Sequence, residues 1–186
     1  MNIPITLTTL LVCQIFLAEH AGAQSHTAAV TVNIRFLPVQ TITVQTSQQT
    51  TDLVYATPED YENGVAINQD DHLTVFSSGG FQVTVAGGYA GFSRSGGSET
   101  IPVSDVIVRA GDGSNSGTHA RYTEATLSST SVPIIESEGG GRNLKYNVTY
   151  DNRIAGLAQK YIDKYVSSDG VETVYSTNVT YTITTR

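Results

Sequence analysis

The sequence predicts an all-β protein built as two stacked antiparallel sheets. Three observations carry that expectation. Apolar and polar residues alternate along most of the chain, and a period of two marks a half-buried strand. The 186 residues include 25 Thr and 19 Val, a content that suits pleated surfaces. Clusters of Gly and Ser interrupt the alternation at short intervals, as connections between short strands do.

The elements follow in order. Val30, Val32, Ile34 and Phe36 share one face of a first strand, with Thr31, Asn33 and Arg35 on the other. Pro38 suits a bend or an edge, and Ile42 and Val44 resume the alternation. Residues 73–77 and 81–86 flank Ser78, Gly79 and Gly80, which reads as a hairpin. Gly87 to Ser98 is an exposed loop holding Tyr89 and Phe92, and Ile101 to Arg109 is the next strand. Ala110 to Thr118 is a second Gly/Ser loop, followed by short strands at 121–128 and 132–135. Leu144, Tyr146, Val148 and Tyr150 mark a strong strand, and Tyr175, Val179, Tyr181 and Ile183 share a face of the last one, Thr173 to Thr184. Ile154, Leu157, Ala158, Tyr161, Ile162 and Tyr165 instead follow helical spacing. They predict a short amphipathic helix across an open end of the sheet, or else an irregular crossover. About eight or nine short strands with Gly-rich connections predict an immunoglobulin-like sandwich. The tetrapeptide Asn147 to Tyr150 recurs as Asn178 to Tyr181, as two similar, neighbouring strands would explain.

The first residues read as an address. Ile5 to Leu17 is largely apolar, too short for a membrane span, and Ala21, Gly22 and Ala23 give a small-x-small cleavage pattern. Residues 1–23 are therefore expected to be a signal peptide and 24–186 one sandwich domain. That domain would be exported to the periplasm, surface or extracellular space, with no integral membrane span. Cys13 is the only cysteine, so the fold must hold without an intrachain disulfide. A net charge of −7 lacks the cationic footprint of a nucleic-acid binder.

The search for chemistry yields no catalyst and no cofactor site. His26, His72 and His119 lack metal-ligand spacing. Asp112 to Gly117 places oxygen-bearing side chains at alternate positions, yet Thr123 stands where a calcium loop needs an acid. Ser93 lacks the glycine of a nucleophile elbow at position 95. The pairs Glu59/Asp60 and Glu136/Glu138 say nothing of the separation that a glycosidase requires. No enzyme is expected.

Two binding features remain. Tyr55, Tyr61, Tyr89 and Phe92 could form an aromatic platform for a glycan, although tyrosine is equally a good strand residue with a polar tip. Thr27 to Phe36 has the shape of a segment added to another protein's sheet edge, with Val30, Val32, Ile34 and Phe36 as plugs. The alternative is the domain's own first strand. The stretches Ala29 to Phe36, Ile101 to Val106 and Tyr175 to Thr184 resemble small secreted β-sandwich proteins of Gram-negative envelopes, such as fimbrial subunits and spore coat protein U-like domains. The chain departs from usher-type subunits in having no cysteine pair. The resemblance implies a non-catalytic structural or adhesive surface subunit whose partners are other copies of itself, envelope proteins or glycans. A carbohydrate-binding module is the alternative.

Overall fold

A computed structural model describes residues 26–153, 160–167 and 169–186. The chain divides into two compact units, Met1–Arg35 and Phe36–Arg186. In the first, described residues 26–35 form no strand or helix, and Val30, Val32 and Ile34 are 85%, 78% and 76% exposed. The alternation there predicts a strand, but such a pattern becomes one only where an edge and an apolar face receive it.

The second unit is an antiparallel β-sandwich. Its strands are β1 (Gln40–Val44), β2 (Ala66–Ser77), β3 (Phe81–Gly87), β4 (Gly91–Ser93), β5 (Thr100–Pro102), β6 (Ile107–Asp112), β7 (Ala120–Tyr122), β8 (Ala125–Thr126), β9 (Val132–Ser137), β10 (Gly141–Asp151) and β11 (Val179–Thr185). One sheet has the order β1-β2-β10-β6-β8 and the other β11-β3-β9-β7, with β4 and β5 forming a small ribbon. The count exceeds the sequence expectation because β4, β5, β7 and β8 are only two or three residues long. Leu73, Val75, Tyr146 and Val148 of the first sheet and Phe81, Val83, Val85 and Ile135 of the second close one core, each 1% exposed or less. The Phe81 and Tyr146 rings meet edge to face at 6.4 Å.

The hairpin expected at Ser78 to Gly80 is a corner instead. β2 pairs with β1 and β10, whereas β3 pairs with β11 and β9. The linker thus carries the chain from one sheet to the other, and the β9–β10 linker does the same. Both corners use one device: Ser77 Oγ donates to Gly79 O at 2.7 Å, and Ser137 Oγ donates to Gly139 O at 2.8 Å. Serine bonding the backbone two residues on stabilises such a turn. The corners also nest, since a Cβ on Gly80 would meet Ser137 O and Glu138 O at 3.1 Å.

A helix that the sequence reading missed, α1 (Pro58–Asn63), has a complete capping box. Thr57 Oγ1 accepts from Asp60 N, and Asp60 Oδ2 accepts from Thr57 N at 2.7 Å. The Thr-Pro-Glu-Asp run is a helix-start signal, with proline at the first turn. Of the helix expected near the C-terminal part, Ile154, Leu157 and Ala158 lie outside the described residues. Residues 160–164 form turns, with Tyr161 buried. Among the described residues, no helix is long and apolar enough to cross a membrane.

Candidate functional site

The structure brings two of the four candidate aromatics together. The Tyr55 and Tyr61 rings lie 5.2 Å apart, and Tyr55 also meets Tyr161 edge to face at 5.4 Å. Tyr55 belongs to a buried polar cluster: its hydroxyl donates to Asn152 Oδ1, and Asn152 Nδ2 donates to Asp105 O at 2.8 Å. Asp105 in turn accepts from Tyr161 Oη at 2.9 Å and from Lys160 Nζ at 2.7 Å. Desolvation, with Asp105 nearby, pushes the Tyr55 hydroxyl up to about 12. Tyr61 lines an open cleft of about 530 Å³ with Pro58, Glu62, Ile162, Asp163 and Val166. Tyr89 is 69% exposed, whereas Phe92 on β4 packs half-buried against the core. Among the described residues, no ring contact joins either of these to the Tyr55–Tyr61 pair.

The groups considered for catalysis or metal binding are dispersed or already engaged. Asp60 caps α1, while Glu136 accepts from Gln82 Nε2 at 2.8 Å and faces Arg186 at 3.2 Å. In the 112–117 loop, Asp112 accepts from the Tyr122 hydroxyl at 2.5 Å, and Ser114 donates its N–H and hydroxyl to Asp71 at 2.7 and 2.6 Å. These bonds hold both carboxyls below their usual range, for Asp112 chiefly through Ser116 and Tyr122 and for Asp71 through Ser114.

The sheet edges are the more informative surface. β1 and β11 run alongside each other on the same rim of the sandwich, each paired on one side only. Register shows which backbone groups are free. Asn178 O accepts from Gly88 N at 2.7 Å, and Arg186 N donates to Gly80 O at 3.1 Å. With Thr182 opposite Thr84, the even-numbered residues of β11 turn their polar groups to β3. Positions 179, 181, 183 and 185 turn theirs outward. In β1, Ser78 N donates to Val39 O at 3.0 Å and Gln45 N to His72 O at 2.9 Å. Positions 40, 42 and 44 therefore face outward. The side chains of Ile42, Val44, Val179, Tyr181 and Ile183 stand perpendicular to those groups and pack half-buried against the core. Among the described residues, none of these outward backbone groups has a hydrogen bond, and Gln40 Nε2 is buried without a partner.

Protected edges are short, charged or broken by Pro or a bulge. β7 and β8, at the other rim, have three and two residues. β1 (QTITV) and β11 (VTYTITT) are longer and carry no charge, Pro or Gly. This signal was legible in the sequence and was not read there.

A hydrogen-bonded chain links the edge strand β11 through β10 and β2 to Gln48, in the turn that follows β1. Tyr181 and Tyr150 share a hydroxyl bond of 2.6 Å, and Tyr150 Oη lies 3.0 Å from His72 Nε2. His72 Nδ1 lies 2.9 Å from Gln48 Oε1, and the Gln48 amide nitrogen donates to Asp70 O. With Gln48 Oε1 as acceptor, the imidazole proton sits on Nδ1 and Nε2 accepts from Tyr150. Burial lowers the His72 pKa and raises those of Tyr150 and Tyr181. Tyr150 and Tyr181 end the two copies of the repeated tetrapeptide. The repeats are not neighbours in one sheet but face each other across the core.

In comparisons with known proteins, no family model matches the chain and no curated protein matches it.

Proposed function

We propose that this protein is an exported, non-catalytic structural or adhesive subunit of a cell envelope or surface. It joins other copies of itself, or envelope partners, by strand addition. Residues 27–36 are the donated strand. One observation carries the reading: Val30, Val32, Ile34 and Phe36 are 76–89% exposed, and described residues 26–36 form no strand or helix of their own. Four large apolar side chains at alternate positions, left in water, suit an acceptor edge elsewhere. The unguarded β1/β11 rim supports the same reading from the acceptor's side. Sedimentation velocity tests it: the intact chain should form concentration-dependent oligomers that deletion of residues 24–36 abolishes. A chain that stays monomeric at every concentration refutes self-assembly. Fractionation of the native cells, with the protein recovered only from cytosol, refutes export.

The second reading, carbohydrate binding, draws support from Tyr61, whose ring lines the cleft beside the Glu62 and Asp163 carboxylates. Aromatic faces with adjacent acceptors suit sugar rings. Glycan-array binding that Tyr61→Ala or Tyr89→Ala removes, shown by a strictly monomeric protein, would favour it.

A further inference from the structure

We infer that Lys160 and Asp105 condense with one another into an isopeptide crosslink, an amide between Lys160 Nζ and Asp105 Cγ made by the folded chain itself. The bond forms within one subunit, whether or not that subunit joins other copies.

The fold holds the two groups in contact. Asp105 closes the single turn Val103–Asp105 ahead of β6 and is 4% exposed. Lys160 reaches it from a segment 55 residues later, and its Nζ lies 2.7 Å from both Oδ1 and Oδ2. A nitrogen equidistant from both oxygens is within roughly 3 Å of the carbon between them, the separation of a near-attack pair. Tyr161, itself buried, donates its hydroxyl to Oδ2 at 2.9 Å. Asn152 Nδ2 donates both to Tyr161 Oη and to Asp105 O, at 2.9 and 2.8 Å. Side chain and backbone of Asp105 are thus both fixed. The Lys160 side chain is 36% exposed, so water released there has an exit.

The chemistry balances without an external reagent. One proton passes from the Lys160 ammonium to Oδ1, giving a neutral amine and a neutral acid. The Nζ lone pair then forms a bond to Cγ, and the carbonyl π pair moves onto Oδ2, where the Tyr161 hydroxyl donates to it. A second proton passes from Nζ to Oδ1, the Cγ–Oδ1 bond breaks, and one water leaves as the amide carbonyl re-forms. Nothing is oxidised or reduced. Free amines and carboxylates do not condense in water, but groups oriented within one fold react as if at an effective concentration on the order of 10⁵ M or more. The charge buried at Asp105 disappears as well, and with it a desolvation cost.

The place suits a staple. Between β10 and β11, described residues 160–167 and 169–178 form no strand, and Ser176 alone makes an isolated bridge, to Ser93. This crossover delivers β11 to its partner β3. Cys13 is the only cysteine, so no intrachain disulfide can secure it. An amide spanning 55 residues restricts the unfolded chain as a disulfide of that reach does.

Mass spectrometry of the purified, folded chain, denatured only for the measurement, tests the bond. The intact mass should fall short of the sequence mass by one water, about 18 Da. Trypsin should release residues 95–109 joined to residues 154–164, because a modified Lys160 is no longer cleaved. Lys160→Arg keeps a cation beside Asp105 but cannot condense, so it should return to full mass and, shown folded by circular dichroism, melt about 10 °C lower. Tyr161→Phe should condense on the order of 10²-fold more slowly, followed as the fraction of light chain over time after synthesis. A parent chain of full mass, a water loss that persists in Lys160→Arg, or a digest in which 95–109 and 154–160 separate overturns the crosslink. Condensation of Tyr161→Phe at the parental rate removes Tyr161 from the reaction.

Discussion

Replacing Ile34 by Ala separates folding from assembly, because the structure gives Ile34 no part in the folded unit. The side chain is 76% exposed, so its truncation should change unfolding free energy by no more than about 0.5 kcal/mol, as for other surface sites. Association is different. A donated Ile34 is buried in the complex, and removing three carbons at ~0.8 kcal/mol each forfeits ~2.4 kcal/mol. At 1.4 kcal/mol per tenfold, the midpoint of self-association rises by roughly 50-fold. Ile135→Ala is the control in the opposite sense: Ile135 is 0% exposed, so its truncation should cost about 2–5 kcal/mol of stability. Urea unfolding and sedimentation velocity, run on both variants, read the two quantities independently. An Ile34→Ala protein that loses stability like a core variant, or that associates as tightly as the parent, refutes the assignment of this segment as a donor.

Other expectations follow from the core and corners. Burial depresses the His72 pKa below the ordinary histidine value of about 6.5, so the unfolded chain binds the extra proton first. Stability should be full above pH 6.5 and fall as pH drops from there toward the folded value; denaturation across that window checks it, and His72→Gln should flatten the slope. Asp151 sits at about 2, through bonds from Arg153 and Arg109 against the cost of burial. Its contribution should be present above pH 3.8 and lost as acid approaches pH 2, and Asp151→Asn should remove that part of the acid-unfolding curve. Gly140→Ala should destabilise by about 1–3 kcal/mol, as overpacking does, because a Cβ there runs into Ser77 O and Gly79 N; thermal unfolding measures it.

Period-two patterning made the sandwich legible, because residues such as Val83 and Val85 on β3 must all reach one core. It could not say which strands pair. Ser78, Gly79 and Gly80 read equally well as a hairpin or as a sheet-changing corner, since both need the same backbone freedom. What decides is where the partners β10 and β11 lie, some 70 to 100 residues away. The α1 helix was missed because Asp60 was weighed with Glu59 as possible chemistry rather than with Thr57 as a cap. Of the candidate site, the apolar spacing at 30–36 was readable, but whether those side chains are covered depends on an edge that no local pattern identifies. The bond of Tyr55 to Asn152 was not readable from local pattern, because it joins residues 97 apart in sequence.

The pairing of β3 with β11 has a kinetic consequence. Phe81 to Gly87 must wait for Val179 to Thr185, about a hundred residues later in the chain, before that side of β3 is covered. Ladders between such distant segments form slowly, because much chain entropy is lost before any contact rewards it. A chain emerging from its N-terminus therefore exposes an open, aliphatic β3 until its final residues appear, and in that interval any alternating segment nearby, including Val30 to Phe36 of its neighbours, competes with β11 for the vacancy.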